Sequence, residues 1–142
     1  MRALIQRVLS ASVSADGVEI SRIGPGMLVL LGVATGDGAP EADRIARKLL
    51  ALRIFDDAEG RMDEPLGERE ILCISQFTLL GDVSSGNRPG FTAAATAEVA
   101  EPLYERVCDE IGAQRGIFGA RMAVELVNDG PLTLLVEAVS GA

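Results

Sequence analysis

Apolar and polar residues alternate from the start of the chain. Ala3, Ile5, Arg7, Leu9, Ala11 and Val13 share one parity, while Gln6, Ser10, Ser12 and Ser14 share the other. This period of two predicts a strand over 3–14 with one buried face. Asp16-Gly17 predicts a tight hairpin turn into a second strand, 18–23, which ends at Gly24-Pro25-Gly26. Residues 27–33 are apolar without alternation, the pattern of a strand buried on both faces. After a loop, Pro40 suits a first helical turn, and Ala42, Ile45, Ala46, Leu49 and Leu52 form a stripe with helical spacing. Arg53-Ile54-Phe55 leaves that helix, 56–60 reads as a turn, and a second apolar strand is expected over 71–77. Thr96 can cap a second helix whose stripe is Val99, Leu103, Val107 and Ile111, with Gly112 as its stop. Pro102 inside it predicts a kink or a later start. Two last strands follow. Phe118, Ala120, Met122, Val124 and Leu126 share one face of the first; Leu132, Leu134, Val136 and Ala138 share one face of the second.

This order predicts a single α+β domain over 1–142, with mostly antiparallel sheets forming a barrel-like core and two main helices. No Gly-rich stretch matches a phosphate-binding loop. The longest apolar run, 27–31, is too short to cross a membrane, and the N-terminus meets polar residues too early for a signal peptide. The expectation is a soluble, cytoplasmic protein.

Composition narrows the chemistry. The chain contains no His, which excludes a Ser-His-Asp or Cys-His machine built from its own residues. Its two cysteines, Cys73 and Cys108, lie far apart in apolar surroundings and read as core residues, so no metal site and no cofactor are expected. The net charge is −8 and Lys48 is the only lysine, which argues against broad binding to nucleic acid and against DNA as a partner. An enzyme of this composition must work through backbone dipoles, positioning, a retuned carboxylate or lysine, or its substrate.

Three features call for explanation. Arg7 stands mid-strand on the apolar parity. It either meets carbonyls or a carboxylate, or lies at a sheet edge. In Ser75-Gln76-Phe77-Thr78 an apolar strand runs into polar groups beside one aromatic ring. The segment is either an ordinary strand end or a site where the N–H groups of Phe77 and Thr78 face an oxyanion. In Asn128-Asp129-Gly130-Pro131-Leu132-Thr133, Asp-Gly suggests a hairpin that Pro131 spoils; on residue statistics alone a trans turn is favoured. The loop from Ser84 to Phe91 combines Gly, Pro, Arg88 and an aromatic residue, and is either a surface connection or a ligand contact.

Taken together, the motifs resemble the D-aminoacyl-tRNA deacylase family, also called D-tyrosyl-tRNA deacylases. The residues that carry the likeness are Ile5-Gln6-Arg7-Val8, Ser75-Gln76-Phe77-Thr78-Leu79, Gly86-Asn87-Arg88-Pro89-Gly90-Phe91, Gly116-Ile117-Phe118-Gly119-Ala120-Arg121-Met122 and Asn128-Asp129-Gly130-Pro131-Leu132-Thr133. They run in order from the first residue to about Val139. Two connections, 62–69 and that between Gly112 and Gly116, are shorter than usual, and Arg121 stands where family members often carry an acid.

The resemblance implies a homodimer that hydrolyses the ester joining a D-amino acid to the 3′ end of tRNA, and also glycine wrongly loaded on tRNA-Ala. Ser75, Gln76, Phe77 and Thr78 would form the catalytic cleft. Gly130-Pro131, in the cis form, would reach into the partner's cleft and reject L-amino acids. Arg7 would hold that segment, across the interface, with Asn128, Phe118 and Met122 also binding substrate. Water attack helped by the ribose 2′-hydroxyl is preferred over a Thr78 nucleophile, which has no His to activate it. Arg88, Arg44, Arg47 and Lys48 are candidate contacts to the aminoacyl-tRNA 3′ end. The rival expectations are a noncatalytic homodimer that binds a small ligand and an editing module active only on a synthetase.

Overall fold

A computed structural model describes residues 1–140. The first three strands fall where alternation places them: β1 (Arg2–Ala15), β2 (Val18–Ile23) and β3 (Gly26–Gly32). Asp16 and Gly17 both take positive φ in the tight turn between β1 and β2. Helix α1 (Ala39–Ala51) follows, with Gly38 as its N-cap and Pro40 in its first turn. The short strands β4 (Phe55–Asp56) and β5 (Met62–Glu64) form a hairpin that the sequence did not announce; residues 57–60 supply its turn. Then come β6 (Glu70–Ser75), a single 3-10 turn (Phe77–Leu80), helix α2 (Ala97–Ile111), β7 (Gln114–Arg115) and β8 (Ala123–Glu137).

The main sheet runs β2-β1-β3-β6-β7, with β8 on the other edge of β1. All pairings of β1 are antiparallel, whereas β3–β6 and β6–β7 are parallel. The sheet curls until the Ser21 hydroxyl of β2 donates to the Arg115 carbonyl of β7 at 2.5 Å, so the fold is nearly a closed barrel. The larger core lies between the sheet and the two helices and includes Ile5, Val29, Cys73, Leu49, Tyr104 and Val107. A smaller core on the opposite face holds Val8, Val13, Leu28, Leu72 and Ile74, with Met122, Val124 and Leu126 packed against it. Alternate residues of β3 and β6 enter opposite cores, as an uninterrupted apolar run requires.

Four expectations need correction. Leu9 is 54% exposed and Val8 is buried, because the pairing of β1 with β8 slips on both sides of Val8. The buried stripe of α2 is Ala100, Tyr104, Val107, Cys108 and Ile111; Val99 is 45% exposed. A strict four-residue repeat drifts off one face of a helix with 3.6 residues per turn. The same helix begins at Ala97 with Pro102 inside it, so the later start does not occur. Finally, residues 118–120 form a turn, and the two expected last strands are one strand, β8, with both halves antiparallel to β1.

The start of β1 is tied to the end of β8. The Met1 ammonium is fully buried, donates to the Ala138 carbonyl at 2.8 Å and lies 2.7 Å from the Asp37 carboxylate.

Candidate functional site

Strand β6 stops at Ser75, not at Phe77. The Gln76 N–H still donates to the Leu31 carbonyl at 2.8 Å, which continues the ladder, and the chain then enters the 3-10 turn. Within the turn, the Leu79 N–H reaches the Gln76 carbonyl and the Gly81 N–H reaches the Thr78 carbonyl. The N–H groups of Phe77 and Thr78 open the turn, where a helix has no acceptor of its own to offer its first donors. Arg2 donates to the Leu79 carbonyl at 2.9 Å and fixes the far end. Gly32 permits this close approach: a Cβ there would fall 2.8 Å from the Gln76 carbonyl oxygen and 2.6 Å from Leu80.

Beside the strand end lies a cavity of about 410 Å³. Ser75, Gln76 and Phe77 line it, with Phe118 and Met122 on the facing side. Phe118 does double duty, since its ring also packs on Tyr104 with centroids 5.9 Å apart. Thr78 is not among the lining residues; its hydroxyl accepts a hydrogen bond from the Gln76 side-chain amide. Phe91 packs edge-on against Phe77 at 5.2 Å, which ties the 82–90 loop to the cavity wall. Sequence reasoning missed the small residues that leave the cavity open, above all Ala95, Ala97 and Ala100. The signal was the run Ala93-Ala94-Ala95 followed by alanines three apart on the first turn of α2.

Among the described residues no Asp, Glu, Lys or Arg lines this cavity. Its polar equipment is a hydroxyl, an amide and backbone dipoles, a set suited to stabilising negative charge on oxygen. Among the described residues no group of three or more Cys, Asp or Glu side chains could hold a metal ion. Cys73 and Cys108 are buried and free, and the neighbouring Cys108 together with complete burial pushes the Cys73 thiol well up. Burial likewise pushes Tyr104 up; its hydroxyl donates to the Cys73 carbonyl at 2.7 Å.

The second signature is elsewhere. Opposite Arg7, the β1–β8 ladder passes from Gln6–Thr133 directly to Val8–Asn128. Residues 129–132 therefore form an arm opposite a single residue of β1, instead of a hairpin, with Gly130-Pro131 at its exposed tip and Leu132 turned back into the larger core. Gly130-Pro131 is the one cis peptide bond among the described residues, and both of its residues are exposed. The arm is held at its base. Asn128 Nδ2 donates to the Leu132 carbonyl at 3.1 Å and to the Arg7 carbonyl at 2.9 Å. Arg7, only 6% exposed, donates through Nε to the Asp129 carbonyl at 3.2 Å and lies 3.1 Å from the Asp129 carboxylate. Its Nη1 donates to the Ile54 carbonyl at 2.7 Å and lies 3.7 Å from Asp56. These partners answer the question of the buried guanidinium. All of them belong to the same chain, and Ile54 and Asp56 come from the unannounced hairpin segment.

Within one chain the two signatures do not meet. Arg7 pairs with Met27 at one end of β3, and Ser75 pairs with Leu31 four residues further along. At the rise of a strand that is roughly 13 Å along β3 alone.

Residues 4–137 match the family described as D-Tyr-tRNA(Tyr) deacylase. The chain is 52% identical to the D-aminoacyl-tRNA deacylase of Chlorobium limicola, over 96% of this chain and 97% of that protein. It is 51% identical to that of Anaeromyxobacter dehalogenans, covering 97% of each. A solved structure named c-Myc DNA Unwinding Element Binding Protein superposes with a TM-score of 0.93 at 39% identity, covering 99% of this chain and 100% of that one. A probable eukaryotic D-amino acid tRNA deacylase shares the fold at a TM-score of 0.77 and 18% identity, over 96% and 98% of the two chains. On this footing the chain belongs to the D-Tyr-tRNA(Tyr) deacylase family.

Proposed function

We propose that this chain frees tRNA from D-amino acids by hydrolysing the ester at the 3′-terminal ribose in the 75–78 cleft, and that the 129–132 arm of a second copy completes that cleft. The observation that carries the reading is the division between an apolar cavity with no ionisable lining and a projecting arm anchored away from it on the same chain. The ribbon bearing the arm supports a partner copy. Leu9, Val127, Leu134 and Leu135 are large, apolar and exposed on β1 and β8, and among the described residues β8 pairs with no strand but β1.

In this site the carbonyls of Gly130 and Pro131 read the amino group, and a side chain in the L arrangement collides with the arm. Glycine, having no side chain, also fits, so glycyl-tRNA is a second substrate. The N–H groups of Phe77 and Thr78 stabilise the tetrahedral oxyanion, each worth roughly 3–4 kcal/mol. Without a base in the cavity, the ribose 2′-hydroxyl assists the attacking water. Thr78 orients Gln76 and forms no covalent bond. Arg7 and Asn128 position the arm; Phe118 and Met122 shape the opposite wall. The reaction takes place in the cytoplasm, where charged tRNA is found; no helix among the described residues is long and apolar enough to cross a membrane.

The test incubates the purified chain alone with D-Tyr-tRNA, L-Tyr-tRNA and D-Tyr-tRNA ending in 2′-deoxyadenosine. Release from the first only is expected, with Thr78→Ala retaining appreciable activity. Release from none overturns the reading. Loss of activity in Thr78→Ala with full activity on the deoxy substrate restores the covalent mechanism. The name of the 39%-identical structure favours DNA binding as a second reading. The net charge of −8 opposes it. A DNA duplex in the same titrations separates the two.

A further inference from the structure

Most cations of this acidic chain are engaged. Among the described residues, only Arg47, Lys48, Arg88 and Arg121 lack a carboxylate within ion-pair distance. Two of these four stand on segments that adjoin the cavity walls. Arg121 stands between Ala120 and Met122, which both line it. Arg88 stands on the 82–90 loop, three residues before the Phe91 that packs on Phe77 in the opposite wall.

From this we infer that Arg88 and Arg121 grip the phosphodiesters of the single-stranded RNA tail whose terminal ester enters the cavity; the inference rests on the function proposed above. Neither arginine is on a loose segment. The Arg88 loop is closed at its base by reciprocal hydrogen bonds between Asp82 and Gly90, at 2.8 and 2.9 Å. The Asp82 carboxylate at that base accepts the Ser84 N–H at 2.8 Å and forms no ion pair with Arg88. The turn before Arg121 is tied by the Ile117 N–H donating to the Met122 sulfur at 3.4 Å. The nearest carboxylates in sequence on the elements around the cavity, Glu98 and Glu125, form no ion pair with either arginine. A guanidinium without a partner beside a neutral cavity suits a phosphate, which it can meet with two parallel hydrogen bonds.

The other cationic cluster is different. Arg44 donates to the Val139 carbonyl at 2.8 Å and lies 3.7 Å from Glu41, and no residue of α1 lines the cavity. On this inference Arg88, named from the sequence, is a contact and Arg121 joins it, while Arg44, Arg47 and Lys48 are not.

The experiment measures kcat/KM against salt for the full chain on D-Tyr-tRNA, on a D-tyrosyl trinucleotide and on D-tyrosyl-adenosine, which has no phosphodiester. Arg88→Gln and Arg121→Gln are each expected to make the log–log salt slope shallower by about 0.7, the value of one single-strand phosphate contact. The effect should persist on the trinucleotide and vanish on D-tyrosyl-adenosine. Lys48→Gln should leave every slope unchanged. Unchanged slopes in the arginine variants, an equal change in Lys48→Gln, a loss confined to full tRNA, or slower cleavage of D-tyrosyl-adenosine would each overturn the assignment. A wild-type protein that cleaves none of the three overturns the proposed function itself.

Discussion

The two ends of β3 are built on opposite plans. At the Leu31 end, the backbone turns sharply after Ser75 and leaves a neutral cavity shaped by small residues and aromatic rings. At the Met27 end, an exposed arm stands on a buried charge and a side-chain amide. The first region is a receptacle that depends on space, so its sensitive positions are glycines and alanines. The second is a probe that depends on fixed direction, so its sensitive positions are hydrogen-bonding side chains at its base. The contrast teaches that one chain keeps a neutral receptacle and an anchored arm apart; under the proposed function these are the two halves of a chiral filter.

The largest effect should come from removing the anchor of the arm. Arg7→Ala abandons the Ile54 and Asp129 carbonyls and leaves a void in a buried position. A stability loss of about 3 kcal/mol is expected, seen in a thermal melt as a drop of roughly 10 °C. Release from L-Tyr-tRNA should rise in the surviving folded protein. A melt and a selectivity both equal to wild type would remove the account of Arg7.

Next in size is a change at the receptacle. Gly32→Ala places a Cβ against the Gln76 carbonyl and Leu80. It should cost about 1–3 kcal/mol of stability and lower kcat on D-Tyr-tRNA with no change in D/L preference. A shift in preference without a fall in rate would mean that the two regions do not divide the work as described.

Asn128→Ala should do the reverse. It removes two hydrogen bonds from the base of the arm and should cost about 1–2 kcal/mol, with selectivity falling more than rate. Equal loss of both, measured on D- and L-Tyr-tRNA, would place Asn128 in the hydrolytic step.

How much of this was legible follows from what sets each feature. Strands β1 to β3 were readable because their register rests on local alternation and a turn signal. From its residues alone the arm was not, because Asp129-Gly130 looks like a hairpin turn unless both flanking segments are known to pair with the same strand; the cis Gly130-Pro131 bond came from the family resemblance, against the residue statistics. The exposure of Leu9 belongs to the same problem: the slip that turns it outward arises in the pairing with β8. The 55–64 hairpin escaped notice because its strands are two and three residues long and β5 has no buried position. In the cleft, the residue types at 75–78 were informative, but the 3-10 turn that separates Thr78 from the cavity lining was not. Arg7 was recognisable as an anomaly; its partner segment around Ile54 lies 47 residues away and leaves no local trace.

The smallest expected effect lies far from both regions and serves as a control. Arg106 holds the Asp43 carboxyl below its usual range, chiefly through a side-chain hydrogen bond between α2 and α1. A carboxyl lowered in the folded state adds stability above its unfolded value, near pH 4, and that stability is lost as pH falls through the folded value. Asp43→Asn should therefore slightly lower the melting temperature at pH 7 and flatten its acid limb, while D/L selectivity stays as in wild type. A change in selectivity would show that the helices communicate with the site.

Mixing two damaged chains tests the central claim most directly. Gln76→Ala/Phe77→Ala spoils the receptacle, and Gly130→Asp/Pro131→Asp spoils the arm. Neither protein alone should release D-tyrosine from D-Tyr-tRNA. Unfolded together and refolded at equal amounts, they should recover about a quarter of wild-type activity, because half of the dimers are mixed and each mixed dimer holds one intact site. A mixture as inactive as its components, in which mixed dimers have been detected by mass, would contradict the assembly of the site from two copies.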